Sequence, residues 1–308
     1  MTRYDAATLR QLRTLAMIRK HGSMAAAAEA VGLTAPAIHG QIRALEEAFG
    51  TDVIARNGAG SELTAEGLVL ADAIVRIDLV LEQAAAQIEA LKTGKAGTVR
   101  LGVVSTAKYF VPRLMRTLRD RLPDIEIALK VGNRDAVVRD IELGGIDLAI
   151  MGRPPRAPRV DAVPLGPHPH GLVAAPDHPL SGRDQVSAAD LAGELFISRE
   201  EGSGTRILMT RYLDGLAEGR VFRFIEMGSN ETIKLSVMAG LGISFISLHT
   251  VTDEIRRGEL TTLKAPGLPV YRQWFLVRPL ETPSSRAIET VASVIGELNG
   301  SFLPVAGY

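Results

Sequence analysis

The chain has 308 residues, and its 35 Lys and Arg balance 35 Asp and Glu, so the formal net charge is zero. It contains no cysteine, which excludes disulfides, thiolate nucleophiles, a thiol redox switch, cysteine-bound zinc and iron–sulfur clusters. The length predicts two or three domains, and the hydrophobic fraction of 46% is typical of a globular protein. Because no signal-peptide core or membrane-length apolar run is present, we expect a cytoplasmic protein with no membrane partner.

The first 50 residues predict three short helices, the last two joined as a helix-turn-helix. The first helix is indicated by apolar residues at helical spacing, namely Leu9, Leu12, Leu15 and Ile18. Ser23 is placed to cap the second helix, whose apolar stripe comprises Met24, Ala27, Ala28 and Val31. Gly32 supplies the turn before the third helix.

The third helix is the candidate reader of DNA. Thr34 is placed to cap it, and Pro36 is tolerated in its first turn. Ile38, Ile42, Leu45 and Phe49 form its buried face, while small and polar side chains occupy the other face, which suits the major groove. The predicted DNA-binding residues are Ser23, Thr34, Ala35, Pro36, His39, Arg43 and, beyond the helix, Arg56. The alternative is an ordinary helical hairpin.

The residues after the third helix favour the DNA-binding interpretation. Val53 to Thr64 predicts two short strands around an Asn57-Gly58 turn, which form a wing beside the helices. With the ending Leu63-Thr64-Ala65-Glu66-Gly67, this order resembles the winged helix-turn-helix of LysR-type transcriptional regulators, and the resemblance extends over the whole chain. It implies promoter DNA as a partner.

Departures from that family pattern weaken the expected contact with phosphates. The family commonly has Gln, Ser and a basic residue where this chain has Ala35, His39 and Gly40, and Glu62 stands in the wing. Residues 1–60 hold seven basic and five acidic side chains, a net charge of +2. Because phosphate neutralisation dominates non-specific affinity, we expect DNA binding to depend on dimerisation and an extended site.

Residues 64–92 predict a dimerisation helix between two domains. Apolar residues recur at alternating spacings of four and three, at Leu70, Ile74, Ile77, Leu81, Ala84, Ile88 and Leu91. This heptad seam is typical of a coiled coil; the alternative is a long helix packed on its own domain. We therefore predict a winged helix-turn-helix over residues 1–63, the linker helix over 64–92 and a hinge over 93–98.

Residues 99–308 alternate between apolar strands and helices, which predicts a largely parallel, doubly wound α/β domain. Crossovers near residues 166–170 and 266–271 divide it into lobe I, about 99–167 and 271–308, and lobe II, about 168–270. Two such lobes with a cleft between them resemble type 2 periplasmic binding proteins, which the effector domain of the LysR family also resembles.

Ligands of such sheets bind at the carboxyl ends of strands, near helix N-termini. Three loops meet that condition and carry hydroxyls, so they suit an anion, although Ser, Thr and Asn there also serve as simple caps. The predicted effector-binding residues are Ser105, Thr106, Ala107, Lys108, Asn133, Arg153, Ser203, Gly204, Thr205 and Asn230. Arg153 either reaches the cleft or closes a turn. We interpret His168 and His170 as polar residues of a crossover, and we predict no metal and no cofactor.

Four sequence segments narrow the resemblance to one group within the LysR family: Gly102 to Phe110, Gly132-Asn133-Arg134, Met151 to Pro155 and Glu201 to Arg206. They look like those of LysR-type regulators of Calvin-cycle carbon-fixation operons and one-carbon-assimilation relatives. That group implies activation of a divergent operon in response to a phosphorylated or nucleotide metabolite, commonly by a homotetramer, with RNA polymerase as a candidate partner.

Other functions have less support in the sequence. No Walker loop, dinucleotide fingerprint, nucleophile elbow or H-E-x-x-H motif is present, so we predict no enzyme. The alternatives are a LysR-type regulator of another pathway that senses a small organic acid, and a cytoplasmic solute-binding protein without a regulatory role.

Overall fold

The structure is a computed structural model that describes residues 6–55, 62–93, 97–217, 219–281 and 284–305. The chain divides into two compact units, residues 1–86 and 87–308, and the division falls inside one helix. Each unit is described by itself.

The first unit is helical. Its helices are α1 (Leu9–His21), α2 (Met24–Val31), α3 (Ala35–Phe49) and the start of α4 (Ala65–Thr93). Gly22, Gly32 and Gly50 end the first three helices in the left-handed conformation, which glycine adopts without steric cost. The core contains most residues of the predicted helix faces, two wing residues and the start of α4: Leu12, Leu15, Ile18, Ala27, Ala28, Ile38, Ile42, Leu45, Val53, Ile54, Ala71 and Ile74. Leu9, predicted in the apolar stripe of the first helix, is 39% exposed.

Two details of the predicted helix-turn-helix need correction. Thr34 occupies the N-cap position of α3, but its side chain makes no capping hydrogen bond. Val31 was predicted in the buried stripe of α2, yet it is 38% exposed, whereas Ala27 and Ala28 are buried and Met24 packs against the core. The cap by Ser23 is confirmed, since its hydroxyl accepts from the backbone N–H of Ala26 at 3.1 Å.

The ends of the predicted wing pair as expected. Ile54 and Leu63 form an antiparallel bridge, while residues 56–61, including Arg56 and the predicted Asn57-Gly58 turn, lie outside the described residues. Thr64 then starts α4, because its hydroxyl accepts from the N–H of Gly67 at 3.0 Å. A Cβ on Gly67 would lie 2.1 Å from the carbonyl oxygen of Val53, so glycine is required for this close approach.

Helix α4 is continuous over 29 residues, as the heptad pattern predicts. The first part of the seam packs on the core of the first unit, with Ile74 buried. Beyond it Ile77, Leu81 and Ile88 are 37%, 47% and 53% exposed. Helix α4 ends at Thr93 and the next strand begins at Gly97, and residues 94–96 of the predicted hinge lie outside the described residues.

The second unit is a two-lobed α/β domain. Lobe I contains β1 (Gly97–Val104), a 3₁₀ turn (Ser105–Tyr109), α5 (Val111–Arg121), β2 (Ile125–Gly132), α6 (Arg134–Glu142), β3 (Leu148–Met151) and, near the end of the chain, α11 (Arg286–Glu297). Lobe II contains α7 (Ala188–Ala192), β5 (Leu195–Arg199), α8 (Gly204–Leu216), β6 (Arg223–Met227), α9 (Asn230–Met238), β7 (Ser244–Ser247), a 3₁₀ turn (Leu248–Thr250), α10 (Thr252–Arg256) and β8 (Thr261–Thr262).

Two long strands, β4 (Val160–Ala174) and β9 (Val270–Pro279), run between the lobes. They pair antiparallel from Val160 opposite Pro279 to His170 opposite Val270. The prediction of a largely parallel sheet is correct for β1 with β2 and β3 and for β5 with β6, but wrong for these crossover strands. The crossover predicted near residues 166–170 lies within β4, so it is extended chain held in a sheet.

Among the described helices, α4 included, none is long and apolar enough to cross a membrane.

The exposed half of the α4 seam predicts self-association. Replacing Ile77 and Leu81 together with Asp would place unpaired charge in an apolar interface, which is unfavourable. We expect light scattering of the purified chain to report a smaller assembly than for the unmodified protein. Val69, which is 64% exposed but outside the seam, provides the control Val69→Asp, which should leave the assembly unchanged. An unchanged assembly in the double variant would make the seam a packing stripe of the monomer.

Candidate DNA-binding helix and effector cavity

Helix α3 presents two different faces. Ile38, Ile42 and Leu45 are buried in the first unit, and this anchors the helix. The opposite surface exposes the predicted DNA-binding residues Thr34, Ala35, Pro36, His39 and Arg43. The residues near the N-terminus of α3 are small, and Arg43 is an exposed cation on the same surface, which are the features expected of a helix that reads base edges.

Other residues of the prediction differ in how available they are. Ser23 is half-buried and its hydroxyl is already engaged in capping α2, whereas Thr34 has no such bond. Gly40 lies on the exposed face of α3 with nothing within 4 Å of a Cβ built there. Packing therefore does not require glycine at this position. Gly40 leaves the exposed face of α3 without a side chain there, and hence without a second cation beside Arg43.

A cavity of about 710 Å³ lies in the second unit, between the carboxyl ends of strands from both lobes and the crossover strands. Lobe I contributes the residues after β1 and β3 and the start of α6, and lobe II contributes the end of β5 and one face of α8. Of the predicted effector-binding residues, the structure brings six together in its wall: Ser105, Thr106, Arg153, Ser203, Gly204 and Thr205.

The inner end of the cavity carries polar groups without partners. Thr106, Ser203 and Thr205 are 5% or less exposed, and no hydrogen bond to their hydroxyls is present within the described parts of the chain. Ser203 is the N-cap of α8 but does not cap it with its side chain, so the first N–H groups of this helix are left for another acceptor. Such a helix N-terminus with free hydroxyls complements an anion.

Two arginines stand beside these hydroxyls. Arg199 is 3% exposed and donates to Glu200 at 2.6 and 2.8 Å, to Oδ1 of Asn230 at 2.6 Å and to Oγ of Ser105 at 3.0 Å. Arg134 contacts Asp135 at 3.2 Å, while its Nε is buried with no hydrogen-bond partner within the described structure. Each of these guanidinium groups therefore has a carboxylate nearby, and Arg134 retains one unused donor.

Three further arginines line the outer part of the cavity. Arg153, Arg211 and Arg272 are exposed, and none of them forms an ion pair with any carboxylate that the structure describes. Repulsion from Arg211 is the largest of the causes that lower the pKa of Arg153, with smaller repulsion from Arg134, Arg156 and Arg272. No described residue that lines the cavity is acidic. The cavity is therefore a region of uncompensated positive charge in a chain with no net charge.

Four predicted effector-binding residues do not line the cavity. Ala107 is buried beneath it in the 3₁₀ turn after β1. Lys108, expected to be a free cation, pairs instead with Glu231 of lobe II at 2.9 Å. Asn133 caps α6 and donates to Glu200 at 3.3 Å, and Asn230 accepts from Arg199. Lys108, Asn133 and Asn230 thus make contacts that join the lobes or orient the cavity wall.

Histidines occupy the crossover behind the cavity. His168 stacks on Trp274 with ring centroids 3.8 Å apart and contacts the hydroxyl of Ser247 at 2.9 Å. His249 accepts from Trp274 Nε1 at 3.1 Å. Burial lowers the pKa of His168 well below its ordinary value, that of His170 to about 3 and that of His249 to about 4. These imidazoles are therefore neutral, and no group of metal-binding residues was found within the described ranges.

Sequence reasoning missed Arg134, Arg199, Arg211 and Arg272. Arg199 comes directly after the apolar segment Phe196 to Ser198, which predicts a strand, and Arg211 follows Gly204 by seven residues in a segment that predicts a helix, so strand-end and helical-period rules could have found both. Arg272 lies on a crossover strand whose course the apolar pattern does not reveal.

A helix-turn-helix unit followed by a two-lobed domain with a ligand-sized cavity defines a DNA-binding protein of the ligand-responsive class. The family models agree: the bacterial regulatory helix-turn-helix protein, lysR family, matches residues 9–68, and the LysR substrate binding domain matches residues 92–299. The chain belongs to the LysR family of transcriptional regulators, which are not enzymes. The resemblance drawn from the sequence is confirmed.

Similar proteins share most of the chain. The HTH-type transcriptional regulator CbbR of Cereibacter sphaeroides is 51% identical over 308 residues, 99% of each chain. A RuBisCO operon transcriptional regulator of Allochromatium vinosum is 39% identical over 88% of this chain and 89% of that protein. The regulatory domain of CcmR from Synechocystis PCC6803, solved in complex with 2-PG, is 33% identical with a TM-score of 0.62, covering 66% of this chain and 97% of that one.

The position of Arg43 predicts a DNA-binding defect without a folding defect. Arg43→Ala removes an exposed cation from α3 and should weaken binding to the cognate promoter by about 1–3 kcal/mol. A gel-shift titration at fixed salt measures this change. Arg116→Ala on α5 also removes an exposed charge, but from the second unit, and should have no effect. Equal affinities for Arg43→Ala and the unmodified protein would remove Arg43 from the interface.

The buried histidines predict a loss of stability on acidification. Their folded pKa values lie below the unfolded value of about 6.5, so below that pH the unfolded chain binds protons that the folded chain does not. Their stabilising contribution is complete above about pH 6.5 and falls as the pH decreases towards the folded values, by at most about 1.4 kcal/mol per pH unit for each imidazole.

Denaturant unfolding of the full chain at about pH 7 and pH 5.5, on either side of the unfolded histidine value, measures this loss. His249→Gln retains a hydrogen-bond acceptor for Trp274 but cannot be protonated, so it should reduce the pH dependence by one imidazole's share. If the variant keeps the full pH dependence, His249 does not contribute to it.

Proposed function

We propose that this regulator controls a carbon-fixation operon and responds to a small phosphorylated anion that binds in the cavity between the lobes. The assignment to carbon fixation is supported by the 51% identity with CbbR and by the similar RuBisCO operon regulator. It is also supported by the segments Gly102 to Phe110 and Met151 to Pro155, on which the resemblance to that group was based. These segments contribute Ser105, Thr106 and Met151 to Pro154 to the cavity wall.

One observation carries the choice of an anion: the cavity wall contains five arginines and unpaired hydroxyls, and its described residues include no carboxylate. Three positive charges without counter-ions, close enough to lower the pKa of Arg153, repel one another until an anion is present. Phosphate oxygens accept from hydroxyls, helix N-terminal N–H groups and guanidinium forks alike. The 2-PG bound to the regulatory domain of CcmR adds support for this class of ligand.

A ligand in this cavity touches both lobes and therefore favours one arrangement of them. The lobes already meet beside it: the N–H of Asp135 donates to the carbonyl of Gly202 at 3.2 Å, and Arg199 reaches Ser105. A ligand that binds one lobe arrangement more tightly than another shifts the populations of the two arrangements. A coupling free energy of about 1–3 kcal/mol between ligand binding and DNA binding is enough to change promoter occupancy.

The partners of this function are promoter DNA, read by α3, and further copies of the chain, paired through the exposed seam of α4. We propose a homodimer that assembles further into a tetramer on paired DNA sites, so that a change in the lobes alters the spacing of the DNA-binding units. RNA polymerase is the partner through which such a regulator would activate transcription.

Removal of the Thr106 hydroxyl tests whether the ligand binds in this cavity. Thr106→Val preserves the shape of this buried side chain but removes a hydrogen-bonding group from the inner end of the cavity. We expect the variant to bind promoter DNA as before and to lose the change in its footprint when 2-PG is added. Footprints of both proteins over a series of 2-PG concentrations measure this response.

The control is Thr290→Val on α11, where the hydroxyl donates to the carbonyl of Arg286 at 2.7 Å and lies outside the cavity. It should respond as the unmodified protein does. A Thr106→Val footprint that still changes at the same concentration would show that the ligand binds elsewhere. A thermal-shift screen in which organic acids stabilise the chain and phosphorylated compounds do not would favour a regulator of another pathway.

A further inference from the structure

We propose that Lys108, Tyr109 and Glu231 form a clasp between the lobes, which holds them in the arrangement that binds ligand and so sets the affinity of the cavity without touching the ligand. This inference rests on the proposed function, because it concerns how the same cavity is kept ready for its ligand. The three side chains are therefore positioning residues, including Lys108, which the sequence predicted to contact the effector.

The clasp joins the two lobes through both oxygens of one carboxylate. Glu231, in the first turn of α9 in lobe II, accepts from Nζ of Lys108 at 2.9 Å and from the hydroxyl of Tyr109 at 2.8 Å. Burial disfavours the ionised carboxylate, but the hydrogen bonds from Lys108 and Tyr109 outweigh it and lower the pKa of Glu231. Burial and the bond to Glu231 raise the pKa of Tyr109, so its hydroxyl remains a donor.

A second side chain of α9 fixes the ring of Tyr109. Lys234 follows Glu231 by three residues on the same helix face, and its Nζ lies over the ring, 4.7 Å from the centroid. This ammonium group is held in turn by Glu254 at 2.7 Å, in an ion pair whose side chains are each 13% exposed. Tyr109 of lobe I therefore contacts lobe II through both its hydroxyl and its ring face.

One short turn connects the clasp to the cavity. The 3₁₀ turn of lobe I begins with Ser105 and Thr106, which line the cavity, and ends with Lys108 and Tyr109, which lie outside it. At the cavity end, Arg199 of lobe II donates to Oγ of Ser105 at 3.0 Å. Lobe II therefore holds both ends of this turn, so a separation of the lobes at the clasp moves the turn that carries the cavity hydroxyls of lobe I.

The clasp is placed to affect the lobe arrangement more than the stability of the fold. Lys108 and Glu231 are 40% and 45% exposed, and ion pairs of such exposure stabilise a folded protein little. Each lobe has its own core, and β4 and β9 join the lobes. In the arrangement described here, Thr106 of lobe I and Thr205 of lobe II are both 5% exposed. Since the apparent affinity falls with the fraction of molecules that are competent to bind, a broken clasp weakens ligand binding.

The test measures the affinity for 2-PG by calorimetric titration into the full chain. Glu231→Ala removes the carboxylate of the clasp and should weaken binding at least about fivefold, the low end of typical coupling between sites. Tyr109→Phe removes only the hydroxyl, keeps the ring beside Lys234 and should cause a smaller loss. The control Asp161→Ala removes a carboxylate whose ion pair with Arg278 is similarly exposed, at 51% and 39%, but joins β4 to β9, and it should leave the affinity unchanged.

Two further measurements separate a clasp from a general structural effect. Once Glu231 is removed, Lys108 has lost its carboxylate, so adding Lys108→Met to Glu231→Ala should cost no further affinity. In the protein without ligand, the amide of Asp135 reports contact between the lobes, because it donates to the carbonyl of Gly202 at 3.2 Å. Hydrogen exchange at this amide should be faster in Glu231→Ala and unchanged in Asp161→Ala.

Each outcome decides the matter. If the unmodified protein binds 2-PG and Glu231→Ala binds it equally or more tightly, the clasp is overturned and the proposed function stands. If the losses from Glu231→Ala and Lys108→Met multiply in the double variant, the two side chains act separately, which also overturns the clasp. If the unmodified protein does not bind 2-PG, the proposed function fails by itself. In that case faster exchange at the Asp135 amide in Glu231→Ala supports the clasp, and unchanged exchange overturns it as well.

Discussion

The second unit depends on the pairing of β4 with β9. Both lobes are continuous with these two strands, which hydrogen-bond from Val160 opposite Pro279 to His170 opposite Val270. Because the strands are paired where they leave lobe I for lobe II, the crossover is a ribbon of sheet and its side chains have fixed directions. The cavity wall formed by His168, Arg272 and Phe275 is therefore set by strand register and not by a loop.

The ribbon also explains how charge is distributed around the cavity. Behind it, His168, His170 and His249 are packed against Trp274 and one another, where burial favours the neutral imidazole. The positive charges of the cavity wall belong to arginines instead, which keep their charge at any physiological pH. Because the histidines stay neutral and the arginines stay charged, mild acidification leaves the positive charge of the cavity unchanged.

The sequence predicted those parts of the fold that depend on local periodicity. The buried face of α3 and the alternation of strands with α5, α6, α8 and α9 follow from spacing, and the exposed positions of His39 and Arg43 follow with them. Loops at strand ends correctly indicated Ser105, Thr106 and Ser203 to Thr205 as cavity residues.

What the sequence could not reveal depends on contacts between distant segments. The pairing of Lys108 with Glu231 joins residues 123 positions apart, so a cation that looked free is already neutralised. Arg272 enters the cavity only because β9 lies beside β4, and an apolar pattern carries no information about which strand is its neighbour. The sequence also does not reveal whether a residue at an N-cap position forms the capping hydrogen bond: Thr34 occupies that position in α3, yet its hydroxyl forms none.

The DNA-binding unit gives a reason for linking this cavity to assembly. One copy offers few cations to phosphates, since Gly40 adds none and residues 1–60 carry a net charge of only +2. Electrostatic affinity grows with the number of phosphates contacted, so such a unit gains affinity mainly when several copies bind together. In the proposed function, the effective concentration of the second copy would depend on the spacing of the copies, so promoter occupancy would respond to small rearrangements. A weakly charged α3 would then be an advantage, because a strongly basic unit would stay bound whatever arrangement the lobes adopt.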